Sequence, residues 1–299
     1  MFKINKAFKN GRLLKSLIGM GRGEFEILLG NFSILLKELR RKPKVRRVGG
    51  GRKGALTNAE SKLFFILFYI KVYPTCDLGA FIFNVDRSQV NRWVNRFMTI
   101  LEKALGRSIV MPERRISSME EFLEKYPEVK DMFVDATERK VQRPKNKKLI
   151  KKRYSGKKKC HTRKNTIICN EKNEILFTSK TKDGRIHDLK QLRKMEVLDH
   201  IPKNVTLWLD KGYQGINKYL KNDNPVMMPK KKSPKKQLTY EQKQENSAIS
   251  SIRMRIEKIF AGIKKFSAMS QIYRNKKGQD DQIFQICSGI WNLQLHTHS

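Results

Sequence analysis

Three carboxylates in this sequence stand where phosphodiester chemistry could be done: Asp135, Asp210 and Glu257. Asp135 follows Met132-Phe133-Val134 and Asp210 follows Leu207-Trp208-Leu209, so each acid closes a short apolar run that reads as a buried strand. A charge held at such a strand end needs compensation. Divalent cations provide it, because carboxylate oxygens suit Mg²⁺, and two ions about 3.5–4 Å apart activate both the attacking and the leaving oxygen of a phosphodiester. For either aspartate alone, a turn cap is the simpler reading. Glu257 belongs to a long helical pattern over 240–266, in which Asn246, Arg253, Glu257 and Lys264 share a narrow stripe, since their spacings nearly complete whole turns. Ile249, Ile252, Ile256, Phe260 and Ile263 occupy the adjoining stripe, and Met254, Arg255, Lys258 and Lys265 point elsewhere. The polar stripe borders the core, where Glu257 can reach a site built by strands while Arg253 and Lys264 offer positive charge to phosphate oxygens. A solvated stripe of intrahelical pairs is the alternative.

The elements that must position these residues can be read around them. Strands are expected over 131–138, 161–170, 174–180 and 205–210, with a short one over 225–229 and a helix over 188–198. Strands alternating with long helices imply an α/β fold with a mixed sheet flanked by helices. Upstream, 57–106 reads as three helices. Thr57-Asn58 starts the first, which ends near Tyr73-Pro74; the second covers 77–83, a turn follows over 84–86, and the third covers 88–105. On the third, Val90, Trp93, Val94, Phe97 and Leu101 form one face while Arg87, Gln89, Asn91, Arg92, Asn95 and Arg96 stay outside. That polar set has the chemistry of a recognition helix, since Arg forks to guanine and Asn or Gln to adenine. Helical spacing over 13–39 leads into a basic run, 40–47, and Gly49-Gly50-Gly51, expected as a cationic linker. A nucleotide-binding phosphate loop is excluded, because Gly49-x4-Gly54 continues as Ala55-Leu56 instead of Lys and Ser or Thr. A connector with a short acidic helix over 118–125 separates the halves. The expected organisation is a helical segment and basic linker over 1–53, a helix-turn-helix domain over 54–110 and a catalytic domain over 111–299.

Composition agrees with a polyanionic partner. In 299 residues, 65 Lys plus Arg face 28 Asp plus Glu, a formal charge of +37, far beyond what solubility needs. The apolar run 63–70 is too short to cross a bilayer and no signal peptide is evident, so a cytoplasmic protein without membrane partners is expected. Cys76, Cys160, Cys169 and Cys287 lack C-x-x-C spacing and read as reduced thiols. Cys160, His161 and Cys169 read as strand residues before zinc ligands. His296 and His298 read as a frayed tail. Asp188, after His187, reads as the cap of the following helix or as a near-site residue. Lysines over 145–152, 157–159 and 230–236 form basic loops beside the proposed site.

In order and spacing, Val134-Asp135-Ala-Thr-Glu-Arg139, Tyr154-Ser-Gly-Lys-Lys-Lys-Cys-His161-Thr162, Gly184-Arg-Ile-His187-Asp188, Leu209-Asp210-Lys-Gly-Tyr-Gln-Gly215 and Arg253-x3-Glu257-x6-Lys264 together resemble bacterial insertion-sequence DDE transposases, a group related to Harbinger elements. Gly54-Ala-Leu56 and the stretch from Phe68 to Thr75 extend the resemblance to nearly the whole chain. The resemblance implies an RNase H-like catalytic domain behind an all-α helix-turn-helix domain, with Asp135, Asp210 and Glu257 as both catalytic and metal-binding triad. It also implies two Mg²⁺ ions, with Mn²⁺ as substitute, and double-stranded DNA, both element ends and target, as partner. A homodimer or higher oligomer on DNA and a nucleoid-associated location in a bacterium complete the expectation. Ser250 stands where relatives with a Tyr-Arg-Glu-Lys signature carry Tyr. The reaction expected is cleavage at terminal inverted repeats followed by attack of the freed 3′ hydroxyl on target DNA. A catalytically inactive helix-turn-helix regulator and an RNase H-like nuclease without strand transfer are the alternatives.

Overall fold

A computed structural model describes residues 4–39, 54–230, 237–275 and 278–298, without the side chain of Arg253. The expected linker 40–47 with Gly49-Gly50-Gly51, and the lysines within 231–236, lie outside the described residues. In chain order the helices α1 (Ile4–Phe8), α2 (Gly11–Ile18), α3 (Arg22–Glu38), α4 (Ala59–Val72), α5 (Cys76–Phe83), α6 (Arg87–Arg107) and α7 (Met119–Lys125) precede the first strand. There follow β1 (Asp131–Lys140), α8 (Lys147–Arg153), β2 (Tyr154–Ser155), β3 (Cys160–Asn170), β4 (Ile175–Thr178), β5 (Lys182–Asp183) and α9 (Asp188–Arg193). Then come β6 (Thr206–Leu209), β7 (Val226–Met227), α10 (Tyr240–Lys264), α11 (Ser267–Ser270) and α12 (Asp280–His298).

Packing gathers these elements into two units. One comprises Met1–Met111, Lys264–Gln271 and Gln282–Ser299, the other Pro112–Ile263 and Ile272–Asp281. They do not follow the chain-order segments read from the sequence, because residues 282–298 pack with the helices at the other end of the chain.

In the helical unit, Asn58 caps α4 by accepting from the Ser61 amide at 2.8 Å, and α4 ends at Tyr73, left-handed at φ 54, directly before Pro74. Every residue from Leu63 to Ile70 is buried. The apolar run is thus a core helix, and no described helix is long and apolar enough to cross a membrane. Thr75 caps α5 and Asp86 caps α6, with Asn84 left-handed at the turn between them. Phe65 is the hub beneath, its ring 5.0 Å from Phe83, 5.2 Å from Trp93 and 6.2 Å from Phe97. Gly79 lets α5 approach α6 closely, since a Cβ there would stand 3.1 Å from Val90 Cγ1. The frayed tail expected at the histidines is instead the end of α12. Ile283, Phe284, Ile286, Cys287, Ile290 and Leu293 are buried along it, Asn292 donates to the Val110 carbonyl at 3.1 Å, and His298 Nε2 lies 3.2 Å from the buried Glu24. Apolar burial along about three turns of α12 outweighs the fraying expected of a terminus.

The second unit is built on a mixed sheet in the order β2-β3-β1-β6-β7, with β4 and β5 also paired to β3. β1 runs antiparallel to β3 and parallel to β6, and β6 runs parallel to β7. One sheet face carries Met132, Val134, Ile168, Leu207 and Leu209 into a core shared with Phe122, Phe177, Leu192 and Tyr213. On the other, Phe133 stacks on Trp208 at 5.9 Å, and Trp208, Met227, Ile249 and Ile252 border a cavity of about 370 Å³ beneath α10. The four cysteines are free thiols, Cys169 and Cys287 buried and Cys76 and Cys160 half-buried, with Cys160 and Cys169 on β3.

Candidate active site

The register of β1 and β6 sets the site. Val134 pairs with Leu209 in the last rung, so Asp135 and Asp210 are the next residue of two parallel neighbours, on strands about 4.8 Å apart. Side chains alternate along a strand, which puts both acids on the face of the stacked Phe133 and Trp208 two residues earlier. Each is oriented by its own turn of backbone. Asp135 Oδ1 accepts from the Ala136 amide at 2.7 Å and Asp210 Oδ1 from the Lys211 amide at 2.7 Å.

Helix α10 covers that face. Its Ile249, Ile256, Ile259, Phe260 and Ile263 are buried, Ile252 is half-buried, and Met254, Arg255 and Lys258 are exposed as the spacing requires. Asn246 clamps the chain leaving β7, accepting from the Lys230 amide at 2.7 Å and donating to its carbonyl at 3.1 Å. Arg255 donates to the Glu171 carbonyl at 2.6 Å, at the turn after β3. Cys169 pairs with Phe133 on this same face of the sheet, and burial first, then the charge of Asp135, push its thiol up. Glu257 is exposed on α10, and Lys264, its last residue, is exposed as well. Among the described residues no three His, Cys, Asp or Glu side chains are close enough to share a metal ion. The sheet register therefore sets Asp135 and Asp210 at the ends of neighbouring parallel strands, and Glu257 lies exposed on α10.

Residues 134–292 match the family described as DDE superfamily endonuclease, and residues 54–107 match the helix-turn-helix of DDE superfamily endonuclease. The chain belongs to the DDE superfamily endonucleases. It is 28% identical over 296 residues, 98% of each chain, to the probable transposase for insertion sequence element IS702 of Microchaete diplosiphon. No solved structure matches it. The resemblance to insertion-sequence DDE transposases is borne out, and with it an RNase H-like mixed-sheet domain behind a helix-turn-helix domain. DDE endonucleases in general use divalent metal ions, and the hard oxygen donors of Asp135 and Asp210 fit such ions.

In the helix-turn-helix of this DDE endonuclease, Val90, Trp93, Val94, Phe97 and Leu101 are buried, while Arg87, Asn91, Arg92 and Arg96 are exposed and Gln89 and Asn95 half-buried. Arg87 reaches Asp77 at 3.5 Å, Arg92 donates to Ser88 Oγ at 2.9 Å, and Asn95 donates to the Asn91 carbonyl at 2.8 Å. These are exposed, weak contacts that a nucleic acid can displace.

Sequence reasoning missed a buried polar network beside the aspartates. Glu138 faces Lys164 across the β1–β3 ladder, Lys164 Nζ lies 3.4 Å from Glu138 and 2.7 Å from Asp188, and Thr162 donates to Glu138 at 2.8 Å. Gln191, fully buried, donates to the Lys164 carbonyl at 3.1 Å. The signal was present in two polar runs, 135–140 and 160–166, each continuing an apolar strand, which can only pair with one another. Of the two readings of Asp188, the helix cap does not hold. The cap of α9 is His187, which makes no side-chain cap bond, and Asp188 is engaged by Lys164.

Proposed function

We propose that this DDE endonuclease is the transposase of a mobile element, binding double-stranded DNA at terminal inverted repeats, cleaving there and joining the 3′ hydroxyl end to target DNA. The observation that supports it best is the placement of Asp135 and Asp210 side by side at the ends of parallel strands, under the helix that carries Glu257. Asp135, Asp210 and Glu257 are assigned as the residues that would hold two Mg²⁺ ions, or Mn²⁺ in their place. Such ions, when bound, polarise the scissile phosphodiester and lower the pKa of the attacking hydroxyl. The remaining work falls to the chain. Arg253 and Lys264 flank Glu257 on α10 and offer cations to phosphate oxygens, and Arg87, Gln89, Asn91, Arg92, Asn95 and Arg96 present base-reading and phosphate-binding groups along α6. Two element ends call for at least two copies on DNA, in the bacterial cytoplasm at the nucleoid.

The test uses labelled terminal-repeat DNA, followed for nicking and joining with and without Mg²⁺. Glu257→Gln keeps the shape of the helix face while removing the charge that offsets a cation, so DNA binding is expected to persist while cleavage and joining fall by orders of magnitude. Near wild-type cutting by that variant would sink the triad, and with it this reading.

A further inference from the structure

A second cavity of the sheet unit, about 490 Å³, opens where the chain leaves β1, a size within the range of small-molecule sites. Val141 on its floor is six residues beyond Asp135, about 20 Å away at roughly 3.3 Å per strand residue. That floor is fixed by backbone. The Val141 amide donates to the His161 carbonyl at 2.9 Å, the Tyr273 amide donates to the Lys140 carbonyl at 2.9 Å, and both side chains are buried. The Arg139 guanidinium lies over the Tyr273 ring, 4.5 Å from its centroid. Half-buried Leu149 and Pro144 add to the apolar wall.

The rim is cationic. Arg143, Lys145, Arg153, Arg163 and Arg274 border the cavity, against one carboxylate, Asp280. Two of these cations are committed to the protein: Arg163 donates to Asp280 at 2.7 Å and to Asp183 at 2.6 Å, and Arg153 donates to Asp183 at 3.2 Å. Arg143 and Lys145 are exposed and make no hydrogen bond or ion pair with the described residues. Like charges gathered at a concave mouth call for an anion. Nothing nearby in sequence supplies one, since no acidic residue stands between Glu138 and Glu171. Helix α8 adds Lys147, Lys148, Lys151 and Lys152 and buries none of its residues. A helix of that length is marginal on its own, yet this one is fastened at both ends. Asn146 caps it, accepting from the Lys148 and Leu149 amides at 2.9 and 3.2 Å, and the Arg185 amide donates to the Lys152 carbonyl at 3.1 Å. The basic run is thereby held as a fixed wall.

An apolar floor with uncommitted cations at its mouth suits a ligand that joins a flat ring to a phosphate. We propose that this cavity seats one unpaired nucleotide of the DNA, its phosphate held by Arg143 and Lys145 and its base set against Val141, Leu149 and Tyr273. A base stacked inside a duplex cannot enter a concave site, so the seat takes a single-stranded end or a displaced strand. The proposal rests on DNA as the partner and is independent of the metal triad and of strand transfer.

The test titrates the full-length protein, without divalent metal, with three fluorescein-labelled hairpin duplexes: one blunt, one with a short thymidine overhang, and one with an abasic overhang of the same length. The wild type is expected to bind the thymidine overhang about fivefold or more tightly than the abasic one, and the abasic overhang more tightly than the blunt end. Arg143→Ala combined with Lys145→Ala is expected to weaken binding of both overhangs while leaving blunt binding intact. Leu149→Ala, which strips the wall, is expected to narrow the difference between thymidine and abasic overhangs. A wild type that binds all three duplexes alike overturns the inference. So does a double variant that weakens the blunt duplex as much as the overhangs, which would make Arg143 and Lys145 ordinary contacts to duplex phosphates, and so does an unchanged thymidine preference in Leu149→Ala. In each of these cases the proposed function stands, since it is decided by nicking and joining; if none of the duplexes is bound, both fall.

Discussion

The two units of the chain treat polarity in opposite ways. In the helical unit aromatic rings pack around Phe65, and the arginines of α6 are turned outward, with exposed contacts such as Arg87 with Asp77. In the sheet unit polarity is turned inward: Glu138, Lys164 and Gln191 form one connected network, which Asp188 joins through Lys164. Outward polar groups act singly, are screened by salt and can be replaced at modest cost. Inward groups position one another, and removing one member changes what the others can do.

Mutation of the strand-end aspartates of the sheet unit gives the largest expected effect. Asp135→Asn and Asp210→Asn should each lower Mg²⁺-dependent cleavage on the order of 10³-fold, and the double variant should be scarcely worse than either, as expected of groups that act as a unit. Rates that multiply in the double variant would show two independent carboxylates and break the contrast.

The outward set should behave in the opposite manner. Arg92→Ala and Arg96→Ala are each expected to weaken repeat binding by about 1–3 kcal/mol if a base edge is read, and to reduce the salt slope by about one if a phosphate is held, with additive losses in the pair. Mn²⁺ binding should be untouched. Filter or fluorescence titrations across a salt series check this, and strong coupling between the two arginines would contradict it.

The smallest effect concerns the exception in the helical unit. Burial first, then the charges of Lys71 and Lys15, lower the Lys265 pKa to about 8. The folded state thus binds fewer protons than the unfolded chain between about pH 8 and about pH 10.4, so stability rises with pH across that window and the charged lysine is a constant cost below it. Lys265→Met is expected to raise stability at pH 7 by about 1 kcal/mol after solvent screening, even with the hydrogen bond to Gln294 forfeited, and the gain should vanish near pH 10. Thermal unfolding at the two pH values measures it; a gain independent of pH would show that packing alone was improved.

The outward half of the molecule was the legible half. Periodicity located α4, α5 and α6 to within two residues, because their caps Asn58, Thr75 and Asp86 and the pattern Val90, Trp93, Val94, Phe97 are local signals. The strands bearing Asp135 and Asp210 were visible for the same reason, as apolar runs that stop at an acid. Long-range pairing was not visible. Nothing near Asp188 in sequence announces Lys164, and the capping preference of aspartate before a helix argued for the wrong partner. Helix α12 carried a readable pattern in Ile283, Phe284, Ile286, Cys287 and Ile290, but its two terminal histidines drew attention to fraying, and its place beside Val110 and Glu24 depends on contacts that span most of the chain.

That long return of the chain has a consequence for the order in which the protein can be made. The helical unit needs residues 282–298 to shelter its interior, including the Asn292 contact with Val110. A ribosome delivers those residues only after the whole sheet unit has emerged. A product cut short before 282 therefore loses more than the last helix of the sequence: the helices that carry the DNA-reading face are left with an uncovered apolar flank, and a prematurely terminated chain is expected to reach quality control as an incompletely closed body instead of competing for DNA as a small, stable binding fragment.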